Sequence, residues 1–234
     1  MMGGHRTGTF WLTMAWLSLM RVAFATTMGA KVVVCAECGA TNTVHVITST
    51  SSFGPMDLET RPAFPARMNV HHLLQVCSNC GYPSFDLSAG LKTKEAKTYL
   101  SKMKKFSRLP ELYRHAAALY EREEPGCRRA FECDVFAAWI ADDLKDKRFA
   151  AICRYSAIVR FRRIKNPDIG LRLMSVELLR RVGDFVSAGK AVRALEKDSA
   201  LSGKQRELLN YEKQLISASD SAIHTIDEAD AKDK

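Results

Sequence analysis

Four cysteines are the residues in this sequence whose type and spacing most directly predict chemistry. They form two C-x-x-C-G motifs, Cys35–Gly39 and Cys77–Gly81. Two residues between the cysteines allow a tight turn to direct both thiolates to one point, and the glycine tolerates the positive φ of such a turn. The sequence therefore predicts one structural Zn²⁺ per chain, with its four positions filled by cysteine and none left for catalysis. The predicted ligands are Cys35, Cys38, Cys77 and Cys80.

The two motifs need β-structure to position them. Lys31–Val34 precedes the first, Thr41–Thr48 follows it, and His72–Val76 precedes the second; all three are β-type runs. The segment between the motifs is longer than in compact zinc fingers, so residues 28–90 are predicted to be a zinc ribbon with an inserted loop. Two alternatives remain open: disulfides in an exported form, and a redox pair or another metal. The odd total of seven cysteines argues against a complete disulfide framework.

The inserted loop carries charged residues of its own. Gly54-Pro55 and Arg61-Pro62 make this segment irregular. Its charged residues are Asp57, Glu59 and Arg61. They could build a binding surface, but a hydrogen-bonded structural loop is the favoured interpretation. Three histidines are interpreted as strand residues because four cysteines already satisfy zinc: His45, His71 and His72.

From about residue 92 the apolar periodicity becomes helical. The predicted helices are one opened by Pro110 and ended by Pro125-Gly126, then 127–144, 147–165, 168–182, 184–197 and 203–219. In the helix over 147–165, Phe149, Ile152, Tyr155 and Val159 fall on one side. Three further cysteines in helical context are interpreted as core residues: Cys127, Cys133 and Cys153.

The fold class predicted from these patterns is α+β and mostly α. A small β zinc ribbon precedes a helical domain over 91–219, and residues 220–234 form a polar tail that frays. The short connections between helices favour local packing, which predicts that the helical part folds without the ribbon.

One helical hairpin matches part of a tetratricopeptide repeat (TPR). Gly183-Asp184-Phe185 and Ala188 follow the turn pattern of that repeat, in which Gly ends the first helix and Ala allows close approach. Ser175-Val176 stands where the repeat usually has Leu and Gly. The helical part is therefore described as TPR-like.

The net charge of +9 is unevenly distributed, with the positive excess in residues 91–108 and 145–181. Arg160, Arg162, Arg163 and Lys165 crowd one predicted helix end, where cations are favoured by the helix dipole. Solvated helix faces are the favoured interpretation. Nucleic-acid binding by this block is predicted to be weak and non-specific.

Residues 1–27 admit two main interpretations. Phe10–Met20 and the Ala23-Phe24-Ala25 triplet are typical of a signal peptide cleaved after Ala25, which predicts export. A true start at Met28 instead predicts a cytoplasmic protein. A membrane anchor is the least favoured alternative: the apolar run is too short to span a bilayer, so no stable span is expected.

Together these motifs resemble an uncharacterised bacterial family, a domain of unknown function that joins a C-x-x-C…C-x-x-C zinc ribbon to a TPR-like helical tail. The resemblance covers roughly residues 31–200 and is carried by four segments: Cys35–Gly39, Phe53–Pro62, Val76–Tyr82 and Glu177–Phe185. It implies a fold and a metal rather than a reaction.

Three functions follow as hypotheses. The leading one is a non-catalytic adaptor whose helical region binds a protein partner. The alternatives are a nucleic-acid-associated zinc-ribbon protein and a thiol redox or metal-handling protein. An enzyme is disfavoured because the sequence shows no nucleophile–base motif, Gly-rich phosphate loop or H-E-x-x-H element.

Overall fold

The computed structural model describes residues 26–105 and 108–232. It is 53% helix and 12% strand, with a small two-stranded sheet near the start followed by a helical region. The predicted mostly-α class with an N-terminal β element is therefore confirmed. Of the signal-peptide-like segment predicted over residues 1–27, residues 1–25 lie outside the described residues, and Thr26 and Thr27 belong to the first strand.

The β elements and the inserted loop come first. Strand β1 (Thr26–Val34) pairs antiparallel with β2 (Thr41–Thr50), and β3 (Gln75–Val76) pairs with β4 (Pro83–Ser84). Between them lie a 3-10 turn (Ala66–Asn69) and the short helix α1 (Val70–Leu73). The eight helices that follow in the described chain are α2 (Lys94–Lys102), α3 (Leu109–Glu123), α4 (Arg128–Asp143), α5 (Lys147–Phe161), α6 (Ile169–Arg181), α7 (Phe185–Leu195), α8 (Gly203–Ser217) and α9 (Ile226–Lys232).

Helices α3 to α8 form a series in which each helix packs on the next one in the chain. Four of them begin at a residue whose side chain accepts a hydrogen bond from the backbone three positions later, which satisfies a free helical N–H. These caps are Asp146, Asp168, Asp184 and Ser202. Such caps set the helix boundaries, and with them the short connections of the hairpins.

The hydrophobic core crosses the predicted boundary at residue 90. Val33 and Val44 of the hairpin lie in one buried cluster with Leu119 of α3. Val70 and Leu74 belong to the main helical core, where the hydroxyl of Tyr113 donates to the carbonyl of Val70 at 2.5 Å. The ribbon and the helices therefore share buried side chains.

The strand predicted over His72–Val76 is wrong for its first residues. His71 and His72 lie in helix α1, and of the predicted run Gln75–Val76 alone forms a strand. Val70 and Leu74 stand one helical turn apart and are both buried, so a helical turn is what places both of them in the core.

The polar tail predicted over residues 220–234 is also corrected. Residues 226–232 form helix α9, and Ala229 is buried against Tyr211 of α8. The carbonyl of His224 accepts from the N–H of Leu58 at 3.0 Å, and the N–H of Ile226 donates to Met56 at 2.9 Å. These contacts hold the C-terminal segment against the inserted loop. Sequence composition missed them because they join residues more than 150 positions apart.

Within the described part of the chain, none of the helices combines the length and apolar character needed to cross a membrane.

Candidate metal centre

Four cysteine sulfurs converge at the end of the β1–β2 hairpin. The Sγ atoms of Cys35, Cys38, Cys77 and Cys80 all lie within 4.8 Å of one another. Across the two motifs, Cys35 and Cys80 are 3.8 Å apart at Sγ, and Cys38 and Cys77 are 3.6 Å apart. The structure brings together the four residues that the sequence predicts as ligands, and this cluster could hold a metal ion.

The two motifs have nearly the same backbone geometry. In the first, the N–H of Gly39 donates to the carbonyl of Cys35 at 2.8 Å; in the second, the N–H of Gly81 donates to Cys77 at 2.9 Å. Both glycines have positive φ, 72° and 77°, a conformation that side chains with a Cβ rarely adopt. Glycine in both motifs is therefore required by the turn that directs each pair of sulfurs inward.

A buried asparagine connects the two motifs. Asn42 on β2 donates from Nδ2 to the carbonyl of Ala40 at 2.8 Å and lies 3.6 Å from the Sγ of Cys77. Its Oδ1 accepts from the backbone N–H of Ser78 at 2.8 Å and from the hydroxyl of Ser78 at 2.9 Å. Sequence analysis missed this role because Asn42 sits in an ordinary strand pattern. A polar residue at an inward strand position is the one signal that could have found it.

Replacing Asn42 with Ala should weaken metal affinity about 10- to 100-fold, the usual cost of losing a residue that orients a metal ligand. The loss follows because Ser78 and Cys77 would no longer be held to the first motif. Competition against a chromophoric zinc chelator measures the affinity. Thr43→Ala, an exposed neighbour on the same strand, is the matched control. Equal affinities for both variants would show that Asn42 does not orient the sulfurs.

The pKa values of two cysteines in the cluster are shifted in opposite directions. Burial works against a thiolate at Cys77, but the backbone amides of Cys80 and Asn79 outweigh it and lower the pKa of Cys77 to about 6. Burial, together with hydrogen bonding to the neighbouring cysteines, raises the pKa of Cys80. A bound metal would replace the protons of the whole cluster, because cysteine coordinates as the thiolate.

The inserted loop carries Glu59 into the helical core. Its carboxylate is fully buried and accepts from the indole N–H of Trp139 at 2.8 Å. Arg154 donates to both of its oxygens, from Nε at 2.5 Å and from Nη2 at 3.0 Å, and Nη1 of Arg181 lies 3.7 Å from Oε1. Arg154 also donates to Asp142 at 2.5 Å. Burial alone would raise the pKa of Glu59, but the charge and hydrogen bonds of Arg154 dominate and hold it below its ordinary value.

Arg61 and Asp57 support the same loop. Arg61 is almost fully buried and forms an ion pair with Asp143 at the end of α4. The backbone N–H of Arg61 donates to Oδ1 of Asp57 at 2.8 Å. Of the two interpretations of Asp57, Glu59 and Arg61, the buried contacts favour a structural loop over an exposed binding surface.

Asp57 should give the protein a distinctive pH dependence. Burial, with the nearby charge of Glu59, raises the pKa of Asp57 to about 6. The folded state then holds this proton more tightly than the unfolded state. The resulting stabilisation is complete below pH 4 and is lost as the pH rises through about 6.

The variant Asp57→Asn should remove this loss. We expect its free energy of unfolding, relative to that of the wild type, to rise by about 1–3 kcal/mol as the pH increases from 4 to 7. Urea unfolding at a series of pH values measures the free energy of unfolding of both proteins. A cost of the substitution that is the same at every pH does not affect how their difference changes with pH. A difference that stays flat, or that falls with pH, would contradict the raised pKa.

Two members of the predicted basic cluster are held by internal ion pairs. Arg160 lies 2.7 Å from the carboxylate of Asp134 and 3.2 Å from that of Glu121. Arg163 reaches the same Glu121 at 2.9 Å. Arg162 and Lys165 are exposed. The pairs join α5 and the turn after it to α3 and α4.

The hairpin predicted around Gly183 is formed by α6 and α7. Gly183 has a φ of 81°, Asp184 caps α7, and Ala188 is fully buried between the helices. Cys133 and Cys153 are buried as predicted, and Cys127 is half-buried.

In comparisons with known proteins, no family model, curated protein or solved structure matches the chain. The resemblance to a bacterial family stays a prediction.

Proposed function

We propose that this protein is a non-catalytic adaptor in which one Zn²⁺, held by Cys35, Cys38, Cys77 and Cys80, stabilises the ribbon while the TPR-like helices bind a protein partner. The observation that carries the proposal is the convergence of the four sulfurs next to a loop that is itself anchored in the helical core. A metal at this place stabilises the arrangement of the helices as well as its own ribbon.

The spacing of the sulfurs supports zinc. A regular tetrahedron with Zn–S bonds of ~2.3 Å has S–S edges of about 3.8 Å. Two of the four distances between motifs, 3.8 Å and 3.6 Å, match that edge, and all four sulfurs lie within 4.8 Å of one another. Four thiolates also fill the coordination shell of zinc, which is typical of structural rather than catalytic sites.

A protein partner is favoured over nucleic acid because the basic cluster is partly neutralised. Arg160 is mostly buried and pairs with the carboxylates of Glu121 and Asp134, so it is less available to phosphates. Hairpins packed in series, by contrast, present extended surfaces of the kind that helical-repeat proteins use to bind other proteins.

The test is native mass spectrometry of the protein purified at physiological salt from the cells that produce it. We expect one zinc per chain and one protein partner in a fixed ratio. Three results would contradict the adaptor: a nucleic acid as the only bound macromolecule, a zinc-free form that cycles between thiols and disulfides with reductase activity, or a protein without any partner.

A further inference from the structure

Helix α5 presents an apolar stripe to solvent. Ile152, Tyr155 and Val159 are 40%, 51% and 49% exposed. They follow the i, i+3, i+7 spacing of a single helix face. The core side of the same helix is formed by small residues such as Cys153 and Ala157, both fully buried. The apolar side that the sequence indicates is therefore largely turned outward.

Exposed cations border this stripe at both ends. Lys147 and Arg148 lie in the first turn of α5, and Arg162 and Lys165 follow its last turn. Arg163 remains 60% exposed although it reaches Glu121. The result is an apolar centre between two positive ends.

The shape suits a helix better than a flat surface. Ile152 and Val159 are seven residues apart, about 10 Å along the helix axis. An open groove of about 480 Å³ runs beside them and is lined by Ser156 and Arg160 as well. Two turns of an apolar helix face would cover this length.

We propose that the exposed face of α5 is the docking surface for an acidic amphipathic helix of the partner protein. This inference rests on the proposed adaptor function and names the chemistry of its partner. Apolar side chains of the incoming helix would pack on Ile152, Tyr155 and Val159. Carboxylates at its two ends would face the cationic ends of α5, which steers association and fixes the register.

A second copy of this chain fits the surface less well. Antiparallel pairing of two α5 helices would place Lys147 and Arg148 of one copy against Arg162 and Arg163 of the other. Parallel pairing would place each cluster against itself. Both arrangements bring like charges together, which disfavours the interface.

The test uses stapled helical peptides of about 16 residues, because short free helices are marginal in water. Each carries leucines at i, i+3 and i+7, with three glutamates or three lysines at each end. Binding to the full-length zinc-loaded protein is followed by fluorescence anisotropy. We expect the glutamate peptide to bind at least about tenfold more tightly than the lysine peptide, a difference of 1.4 kcal/mol.

Two variants locate the binding site. Tyr155→Ser combined with Val159→Ser should weaken the glutamate peptide about tenfold or more, because a central aromatic often dominates an interface. Val186→Ser, at an apolar residue on α7 that is more exposed than either Tyr155 or Val159, is the control and should leave binding unchanged. Arg148→Glu combined with Arg162→Glu should reverse the preference between the two peptides.

Several outcomes would overturn the docking surface. They are failure of the glutamate peptide to bind, equal binding of both peptides, insensitivity to the α5 variants, dimerisation through α5, and α5-dependent binding to phosphatidylserine vesicles in place of the peptide.

Binding of the natural partner distinguishes a failure of the docking surface from a failure of the adaptor function. If the Tyr155→Ser, Val159→Ser protein keeps that partner, the docking surface is wrong and the adaptor stands. If the wild type has no partner, the adaptor itself fails.

Discussion

Replacing Glu59 with Gln should destabilise the folded, metal-loaded protein by about 3–5 kcal/mol, the largest loss that we expect from a single substitution outside the metal cluster. Glu59 is completely buried and receives hydrogen bonds from Arg154 and Trp139. Without its charge, Arg154 would keep Asp142 as its ion-pair partner, and Arg181 would keep Asp142 and Glu177. Urea unfolding followed by helical circular dichroism measures the loss.

Glu132→Gln provides the matched control. Glu132 pairs with Arg128 at 2.7 Å on the surface, where such pairs contribute less than about 1 kcal/mol. A second test combines Glu59→Gln with Arg154→Met. Because the unpaired buried charge causes most of the loss, the double variant should recover part of it. A Glu59→Gln protein as stable as the Glu132→Gln protein would show that the loop does not anchor the helices.

Replacing Cys77 with Ser should abolish tight zinc binding and loosen the ribbon. Three thiolates leave an open and weaker site, and metal-binding free energy is folding free energy in small zinc domains. Backbone amides of β1, β2 and both cysteine motifs should lose protection from hydrogen exchange. The inserted loop should also lose protection, because the second motif and Glu59 lie in the same segment.

Cys127→Ser is the control for this substitution. Cys127 lies outside the cluster, and its Sγ is 3.6 Å from the carbonyl of Tyr120, a contact that a serine hydroxyl can also make. The Cys127→Ser protein should keep one zinc per chain, and its amide hydrogen exchange should be unchanged. Retention of full zinc and full ribbon protection in Cys77→Ser would exclude Cys77 as a ligand.

Residue spacing predicted the structural features that depend only on residues close together in the sequence. The C-x-x-C-G motifs encode their own turns, so the convergence of the four sulfurs could be predicted before any fold was known. The Gly183-Asp184 turn is local in the same sense. What spacing could not predict are contacts between distant segments: Asn42 beside Cys77, Glu59 beside Arg154, and the C-terminal segment beside Leu58.

These distant contacts change one expectation in particular. Short connections within the hairpins predict that the helices fold without the ribbon. The buried guanidinium of Arg154, however, takes its main partner from the inserted loop. We now expect a fragment of residues 91–234 to be markedly destabilised, because removal of the loop leaves this charge without Glu59.

X-ray absorption at the zinc edge of the purified wild-type protein tests most directly whether four thiolates hold one zinc. We expect one zinc per chain with four sulfur neighbours at about 2.3 Å and no nitrogen or oxygen ligand. A spectrum with fewer than four sulfurs, or a protein that binds no zinc while its four cysteines are reduced, would contradict it.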